Sequence, residues 1–514
     1  MKRLGFLSVF AFLPVLIWVG INQAQSPAPS SPKRAIPKTW DDQQLGDLEI
    51  PLANPEGSPK QVSADYYYRV PVRPICKSYP VYAAGHEPVG YLEALKQRDP
   101  VIYWDDKGHA PPLETDADWI KAGETVFDSP IDDGGIGGSE PNDLYVRERK
   151  FLDVTGTLVA QDGTLPYFRY VVKKKGEVEI GVLACGMCHT RVMPDGTVLK
   201  GAQGNFPFDR YFAMDYLRSG SKFAPLLERS LYATPWITSD PLPSTSSMTL
   251  EQIAEVHRTV PPGVVARHRT SPFAPAQVPD LIGVKDRKYL DRTGLQQQHS
   301  IVDLMRYAAL NQGGDDLANF NGFVPVDFPD FKKLPTIADL GRDRYSDEQL
   351  YALALYVFSL KPPPNPNKFD ALAERGQKVF ESENCVMCHT PPLYTSNKLT
   401  LALGFKPPVD AAKKYAILPL SVGTDPSLAL KTRRGTGYYK VPSLKGVWYR
   451  GMFGHSGWCA TLEDWFDPGR VQEDYVPTGF KPHGAKTYAV QGHPFGLGLS
   501  PEDRKALIAF LRTL

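Results

Sequence analysis

The chain has 514 residues, 42% hydrophobic and 22% charged, so its composition is that of an ordinary globular protein too long for one small domain. Lysine and arginine (58) nearly balance the acidic residues (57), and this balance argues against nucleic acid or an anionic membrane surface as a partner. Frequent proline (48) and glycine (43) predict long irregular connections around modest helices.

The N-terminus predicts an export signal. Basic residues Lys2 and Arg3 precede an apolar run to Ile21 and a small residue at Ala24, which is the order found in secretory signal peptides. We therefore assign residues 1–24 to a signal peptide and expect a periplasmic or secreted protein. The alternative is a periplasmic protein held by an uncleaved anchor, because the apolar run nearly reaches spanning length.

A Pro-rich N-terminal extension, residues 25–115, precedes the first strongly periodic helix, "DADWIKAGETVFDSP" at residues 116–130. Downstream, the stretches "TGTLVA", "LPYFRYVV" and "EVEIGVL" are rich in β-forming residues and are joined by the turn-like "QDG" and "KKKG". They predict a small antiparallel sheet between residues 155 and 183, inserted ahead of the first cysteine motif.

Two copies of Cys-x-x-Cys-His follow, in "ACGMCHT" at residues 184–190 and "NCVMCHT" at residues 384–390. This is the attachment signature of c-type haem, in which two thiols bond to the porphyrin vinyl groups and the next residue places its imidazole on the iron. A zinc site needs a second ligand pair nearby and a redox dithiol favours a βαβ setting, and neither pattern is visible. The predicted residues for two covalently bound haem c groups are Cys185, Cys188, His189, Cys385, Cys388 and His389.

The remaining cysteines, Cys76 and Cys459, leave two alternatives open. They can form a disulfide, because an exported chain meets an oxidising compartment, or they can be two buried free thiols.

Repeated segments indicate an internal duplication around the two motifs. "VPDLIGVKDRKYLDRTG" at residues 278–294 shares seven residues with "VPSLKGVWYRGMFGHSG" at residues 441–457. The helix pattern of residues 346–360 returns at residues 500–514, each copy beginning with a serine suited to capping a helix. Ahead of the second motif, "AERGQKVF" repeats the helical opening of the first half.

These repeats predict a mainly α fold with two tandem cytochrome c-like domains, long loops and the small antiparallel β insertion in the first domain. The first domain covers residues 116–360 and carries haem one, and the second covers residues 368–514 and carries haem two. "KPPPNPN", residues 361–367, is a stiff Pro-rich linker between them.

The two halves differ in residues that can complete the coordination of an iron. After the second motif, His493 is the first choice for the sixth ligand of haem two, and His455 is the alternative. The corresponding positions of the first half hold Asp339 and Arg292, which are not ordinary haem ligands.

Haem one, held by His189, is therefore expected to lack a sixth protein ligand. The nearby Met305 and His299 belong to the helical "SIVDLMRYAALNQ" and its start, where a core methionine and a capped surface histidine are expected. An iron with a vacant position can bind dioxygen or peroxide, whereas an iron with two protein ligands mainly transfers electrons. The catalytic distal residues are unknown, and candidates among the aromatic residues near residues 200–345 are Phe206, Phe208, Trp236, Phe320 and Phe323.

On these motifs the chain resembles the superfamily of the dihaem cytochrome c peroxidases, the methylamine dehydrogenase maturation enzyme and the dihaem rubber oxygenases. The resemblance covers residues 116–514 and rests on the tandem haem motifs, "VPSLKGVWYRGMFGHSG" followed by "ATLEDWFDP", and the closing "LSPEDRKALIAFLRTL". The motif spacing and "GHPFGLGLS" are most similar to the rubber oxygenases, which are extracellular or periplasmic and bind dioxygen at their N-terminal haem. The stretch "TRVMPDGTVLKGAQGNFPFDR" departs from the peroxidases because it lacks their distal histidine.

The resemblance implies a haem oxidoreductase, peroxidase-like or dioxygenase-like, and raises a calcium ion between the domains as a further cofactor. The predicted function is an exported dihaem c-type cytochrome that activates dioxygen or peroxide at haem one, while haem two exchanges electrons with an external donor or acceptor protein. An organic molecule is a further candidate substrate. The alternative is a non-enzymatic periplasmic electron-transfer cytochrome with both haems six-coordinate.

Overall fold

The computed structural model of the chain describes residues 34–46, 48–131, 143–220, 228, 231–232, 234, 248–266, 270–313, 317–320 and 343–514. The predicted signal peptide lies outside these residues. None of the helices in the described ranges combines the length and the apolar character needed to cross a membrane. Residues 36–514 group into one compact unit.

The helices are labelled in chain order. The described α-helices are α1 (Asp42–Leu45), α2 (Ala64–Arg69), α3 (Tyr91–Lys96), α4 (Asp116–Asp128), α5 (Arg149–Thr155), α6 (Cys185–Cys188), α7 (Phe208–Ser219), α8 (Leu250–Arg258), α9 (Ile301–Gly313), α10 (Asp347–Ser359), α11 (Ala371–Ser382), α12 (Ala411–Lys414), α13 (Ser427–Leu430), α14 (Leu462–Trp465) and α15 (Pro501–Arg512). Short 3₁₀ turns occupy Pro55–Gly57, Asp143–Arg147, Val284–Asp286, Cys385–Met387 and Pro468–Val471.

The strands are short and form several small sheets. They are β1 (Pro59–Gln61), β2 (Ile75–Cys76), β3 (Ser78–Tyr82), β4 (Ile102–Trp104), β5 (Thr164–Lys174), β6 (Glu177–Gly181), β7 (Thr190–Val192), β8 (Val198–Lys200), β9 (Val264–Val265), β10 (Ala276–Gln277), β11 (Tyr289–Leu290), β12 (Gln296–Gln297), β13 (Ala318–Phe320), β14 (Leu399–Leu401), β15 (Ile417–Leu418) and β16 (Tyr438–Lys440). The antiparallel pairs are β1–β13, β2–β4, β7–β8, β9–β10 and β11–β12, and the three-stranded sheets have the orders β3–β5–β6 and β15–β14–β16.

In the first half, helices α4 and α10 pack tightly against each other. The serine predicted to cap α10, Ser346, accepts a hydrogen bond from the Gln349 backbone N–H, which confirms the predicted start of this helix. At the closest point, a Cβ added to Gly123 would lie 2.0 Å from the carbonyl oxygen of Ala352. The backbones approach this closely because glycine has no side chain.

In the second half, helices α11 and α15 repeat this contact with equivalent residues. A Cβ added to Gly376 would lie 1.9 Å from the carbonyl oxygen of Ala506. The rings of Phe380 and Phe510 lie 5.4 Å apart, as Phe127 and Tyr356 lie 5.2 Å apart in the first half. The duplication seen in the sequence therefore appears as two matching helix pairs.

The β insertion differs in part from its prediction. Strands β5 and β6 form the expected antiparallel hairpin, but "TGTLVA" is not a strand, so that prediction is wrong. Its first residue, Thr155, ends helix α5, and Gly156 terminates the helix in the left-handed conformation at φ 78°. The third strand is β3, in which Tyr79 pairs with Tyr170 of β5.

Residues 36–115, part of the predicted N-terminal extension, contribute to the core of the first half. The Trp40 ring stacks on Tyr67 at 4.5 Å, and both side chains belong to the hydrophobic cluster that contains α4 and α10. Arg306 of α9 donates a hydrogen bond to the Thr39 carbonyl at 2.7 Å. This segment therefore supports the helices that flank the first haem motif.

Cys76 and Cys459, the two cysteines outside the motifs, are not joined by a disulfide. Cys459 is fully buried beside Trp458 and Val264, whereas Cys76 lies in strand β2 and pairs through its backbone with β4. The structure therefore lacks the disulfide, and of the two cysteines only Cys459 is buried as the other alternative required.

Candidate functional site

The first cysteine motif forms helix α6 and lines an interior cavity of about 150 Å³ with Cys185, Cys188 and His189. The turn continues into the histidine, because the His189 backbone N–H donates to the Cys185 carbonyl at 3.0 Å. Met187, between the two cysteines, is fully buried. Both thiols and the imidazole therefore face one space inside the protein, which we call cavity one.

The His189 imidazole is oriented for metal binding. Its Nδ1 lies 3.1 Å from the carbonyl oxygen of Pro279. Because a carbonyl only accepts, Nδ1 carries the proton and Nε2 keeps its lone pair. Burial, with help from the charge of Arg292 and against the Pro279 hydrogen bond, lowers the pKa of His189 to about 4. The ring is therefore neutral at physiological pH, the form that ligates metals.

The second motif repeats this arrangement around a larger space of about 220 Å³, which we call cavity two. The Nδ1 of His389 lies 3.2 Å from the carbonyl oxygen of Tyr394, and the Pro442 carbonyl also accepts from this imidazole. Burial lowers the pKa of His389 to about 4. Pro279 and Pro442 are equivalent positions of the duplicated segment, so the repeat supplies the same carbonyl to both imidazoles.

His493 lies across cavity two from His389. The two ring centroids are 6.5 Å apart. Histidine nitrogens bind metals at about 2.0 Å, so two imidazoles on opposite sides of one ion have ring centres about 6 Å apart. Burial lowers the pKa of His493 to about 3, and its Nδ1 is buried without a hydrogen-bond partner among the described residues.

The backbone holds His493 in a strained position. Its φ is +46°, which is unusual for a residue with a side chain. The His493 N–H donates to the Val422 carbonyl at 2.6 Å, and Arg470 donates to the His493 carbonyl at 2.9 Å. These bonds fix the loop that directs the imidazole into cavity two.

The alternative ligand, His455, also lines cavity two but has other partners. Its ring stacks on Tyr439 at 4.1 Å, and its Nε2 lies 3.1 Å from the Tyr439 hydroxyl. Trp458 covers its other side, with ring centroids 4.4 Å apart. The geometry therefore favours His493 as the partner of His389.

Cavity one has no second imidazole among the described residues that line it, and no methionine or lysine either. Met305 is fully buried in the core of the first half, and His299 is exposed, with its backbone N–H donating to Asp303 at 2.7 Å. Both residues lie as expected for a core methionine and a capped surface histidine. Asp339 lies outside the described residues.

A polar group on the wall of cavity one was not predicted from the sequence. Arg434, from the second half of the chain, forms an ion pair with Asp291 and donates to Asn311 Oδ1 at 2.6 Å. It also donates to the Tyr307 hydroxyl at 3.2 Å, and that hydroxyl donates to Asp291 at 3.2 Å. No local sequence pattern marks this group, because its members lie far apart along the chain.

The aromatic residues proposed for the distal pocket do not line cavity one where they are described. Phe206 and Phe208 belong to the hydrophobic core around the three-stranded β insertion. Trp236, Phe323 and the side chain of Phe320 lie outside the described residues.

The two motifs differ in their exposure to solvent. Met187 is fully buried, whereas the equivalent Met387 is 40% exposed. Asn384 and Thr390, which flank the second motif, are also exposed. The edge of cavity two at its cysteines therefore lies at the surface, whereas the matching edge of cavity one is covered by protein.

The expected calcium ion has no carboxylate cluster to hold it in the described residues. No group of three or more His, Cys, Asp or Glu side chains in these ranges is arranged to bind a metal ion. A calcium site therefore stays a prediction from the resemblance.

The described residues fit two haem c groups. In each cavity, two cysteines are followed directly by a histidine with a neutral imidazole. The Nδ1 of that imidazole is hydrogen-bonded, so its Nε2 is available to an iron. The buried Nδ1 of His493 and its spacing from His389 suit a second axial imidazole in cavity two.

No protein-family model matches the chain, and no curated protein matches it. Among solved structures, hydrazine synthase from Kuenenia stuttgartiensis aligns with 47% of this chain and 73% of its own, at 16% identity and a TM-score of 0.27. A MauG-like protein associated with microbial copper homeostasis aligns with 33% of this chain and 56% of its own, at 17% identity and a TM-score of 0.21. At these TM-scores, the two likenesses carry no conclusion about the activity of this chain.

Proposed function

We propose that the protein is an exported dihaem c-type oxidoreductase built from two cytochrome c-like halves, with a reactive haem in cavity one and an electron-transfer haem in cavity two. The observation that carries this proposal is the unequal set of imidazoles. His389 faces His493 at 6.5 Å between ring centroids, whereas His189 faces no imidazole in the described part of cavity one.

In cavity one, the residues hold and shield the cofactor. Cys185 and Cys188 would tether it, and His189 would bind its iron from one side. Bound there, haem supplies an iron with an open position, a chemistry suited to dioxygen or peroxide. The hydrogen-bonded group around Arg434 and Tyr307 provides polar contacts within the same cavity.

In cavity two, the residues favour electron transfer. His389 and His493 would bind the iron from two sides, and such an iron would have no position for a substrate. The exposed edge at Met387 brings the cofactor attachment close to solvent, where an external donor or acceptor protein can approach. The unequal exposure of the two motifs therefore agrees with electrons entering or leaving through haem two.

Spectroscopy of the purified exported holoprotein tests the proposal. We expect two haem c groups per chain by pyridine haemochrome assay, one low-spin EPR signal and one haem whose spectrum changes with dioxygen or peroxide. His493→Ala should alter the low-spin signal alone, and the matched variant His455→Ala should leave both axial histidines of haem two in place.

Two results would contradict this assignment. If the purified protein contained no covalently bound haem, the whole proposal would be wrong. Two low-spin haems that do not react with dioxygen or peroxide would favour the alternative function, a periplasmic electron-transfer cytochrome with both irons six-coordinate.

A further inference from the structure

Arg292 lies on the wall of both cavities. It belongs to the first half of the chain, where it occupies the position equivalent to His455 in the duplicated segment. Its side chain nevertheless also lines cavity two, which contains the second motif. Its charge contributes to lowering the pKa of His189 in one cavity and of His455 in the other, in each case after burial. One guanidinium therefore faces both proposed cofactor sites.

Backbone carbonyls, not a carboxylate, hold this guanidinium. Its Nε donates to the Gln277 carbonyl at 3.2 Å, and one Nη donates to the Val278 carbonyl at 3.1 Å. The neighbouring Asp291 instead pairs with Arg434. Carbonyl oxygens therefore orient the positive charge of Arg292, and no carboxylate of the described residues forms an ion pair with it.

More cations lie close to Arg292, most of them half-buried. A small space of about 20 Å³ beside it is lined by Arg287, Arg292, Lys398, Lys440 and Arg450, and Asp280 is the only carboxylate among the described residues that line it. The Arg450 Nε is 3.7 Å from Asp280, and the Lys440 ammonium donates to the Tyr289 carbonyl at 3.4 Å, its one hydrogen bond among the described residues. We call Arg287, Arg292, Lys440 and Arg450 the cationic cluster.

The pKa values report the same excess of positive charge. Burial, followed by the charges of Arg450 and Arg287, lowers the pKa of Arg292 to about 9. Burial together with Arg287 and Arg292 places the pKa of Lys440 well below its usual range. Buried charges are normally paired, so this cluster needs anions that the described side chains do not supply.

The two cavities offer a source of such anions. Each haem carries two propionate carboxylates, and Arg292, Lys440 and Arg450 all line cavity two. In cavity one, Arg292 is the member of the cluster that reaches the wall. The cationic cluster therefore places three cations on the wall of cavity two, and one of these, Arg292, also lies on the wall of cavity one.

We propose that Arg292 is a positioning residue shared by the two haems, which pairs with carboxylates of both and sets their reduction potentials together. This inference rests on the proposed function. A nearby cation stabilises the reduced form of a haem, because reduction lowers the net positive charge of the iron, and a low effective dielectric strengthens the effect. Loss of one shared charge should then lower both potentials, whereas loss of a cation on one wall should lower one.

Spectroelectrochemical titration of the dihaem protein tests this coupling. In Arg292→Gln, we expect the reduction equilibrium constant of each haem to fall about tenfold, equal to about 59 mV for a one-electron couple. In Arg450→Gln, which removes a cation that lines cavity two and not cavity one, we expect only haem two to shift. Arg292→Lys keeps the charge and should leave both potentials close to those of the unaltered protein.

The result that overturns the inference is an Arg292→Gln protein that retains both haems and shifts one potential or neither. Where Arg292→Gln loses a haem, Arg292→Met provides a second neutral side chain with the same decisive outcomes. Failure of the proposed function is distinguishable before any variant is compared, since the unaltered protein would then either lack two haems in the pyridine haemochrome assay or show two low-spin haems that do not react with dioxygen or peroxide.

Discussion

At the scale of single residues, His189 and His389 share their chemistry, and the residue opposite each one differs. Both imidazoles donate hydrogen bonds to backbone carbonyls, His189 to that of Pro279 and His389 to those of Tyr394 and Pro442. Hydrogen bonds of this kind fix the tautomer and orientation of a ligand but do not choose its reaction. Under the proposed function, whether each haem binds a substrate or only transfers electrons therefore depends on whether a second side chain binds its iron.

Replacing His493 with methionine tests that dependence. A c-type haem held by one histidine and one methionine has a raised reduction potential, because the methionine sulfur favours the reduced iron. We expect His493→Met to raise the reduction potential of haem two and to leave haem one unchanged, as measured by spectroelectrochemical titration. The control is His483→Met, at an exposed loop position. Equal shifts in both variants would contradict His493 as an axial ligand.

A second buried histidine has a structural role that depends on pH. His257 is fully buried, with Nδ1 2.7 Å from Asp209 and Nε2 2.8 Å from Glu228. Burial lowers its pKa, but the charge of Glu228 and the two hydrogen bonds outweigh that effect and raise it to about 10. Asp209 also accepts from the Ala266 backbone at 3.1 Å, beside Val265 on the wall of cavity one.

His257→Gln should therefore destabilise the protein by about 3–5 kcal/mol, because two buried carboxylates lose their counter-charge. The sign of the pH dependence follows from the raised pKa: the stabilisation is complete below about pH 6.5 and is lost as pH rises through about 10. Chemical denaturation at several pH values measures it. His109→Gln is the control, since that side chain is 58% exposed, and an equal loss there would contradict the assignment.

At the scale of elements, the matching helix pairs depend on one glycine each. Gly376→Ala places a methyl group against the Ala506 carbonyl, so the helices must separate. We expect destabilisation of about 1–3 kcal/mol by overpacking, and Gly123→Ala should behave alike in the first half. Thermal unfolding measures both changes. In the same assay Gly46→Ala, where nothing lies within 4 Å of an added Cβ, should leave the stability almost unchanged. A neutral Gly376→Ala would mean that the contact tolerates separation.

The elements that sequence predicted well are those with local signals. Ser346 and Ser500 both cap their helices, because a capping serine acts within one turn. Strand β3 was missed because Pro80 argues against a strand, yet proline is tolerated at the sheet edge that β3 occupies. Arg434 was missed for the opposite reason: its contacts with cavity one depend on packing between halves, for which the sequence carries no periodicity.

At the scale of the whole molecule, equal motifs occupy unequal places. The β insertion and the β7–β8 hairpin surround the first motif, so Met187 is buried. No such elements cover the second motif in the described part of the chain, where Met387 is 40% exposed. The two similar motifs therefore differ in their access to solvent, because the first is covered by elements that have no counterpart in the described residues around the second.

This asymmetry predicts that an external redox protein exchanges electrons through haem two. A charge added at Met387 lies at the exposed edge of the second motif, where it alters the encounter with a charged partner. With a basic mono-haem cytochrome c as donor, Met387→Glu should raise the second-order rate of haem two reduction several-fold at low salt. High salt should remove the gain by screening, and stopped-flow absorbance measures both. Val89→Glu adds the same charge at a fully exposed position outside both motifs. If it accelerates reduction as much as Met387→Glu does, attraction to the whole protein surface explains the rate and entry through haem two is wrong.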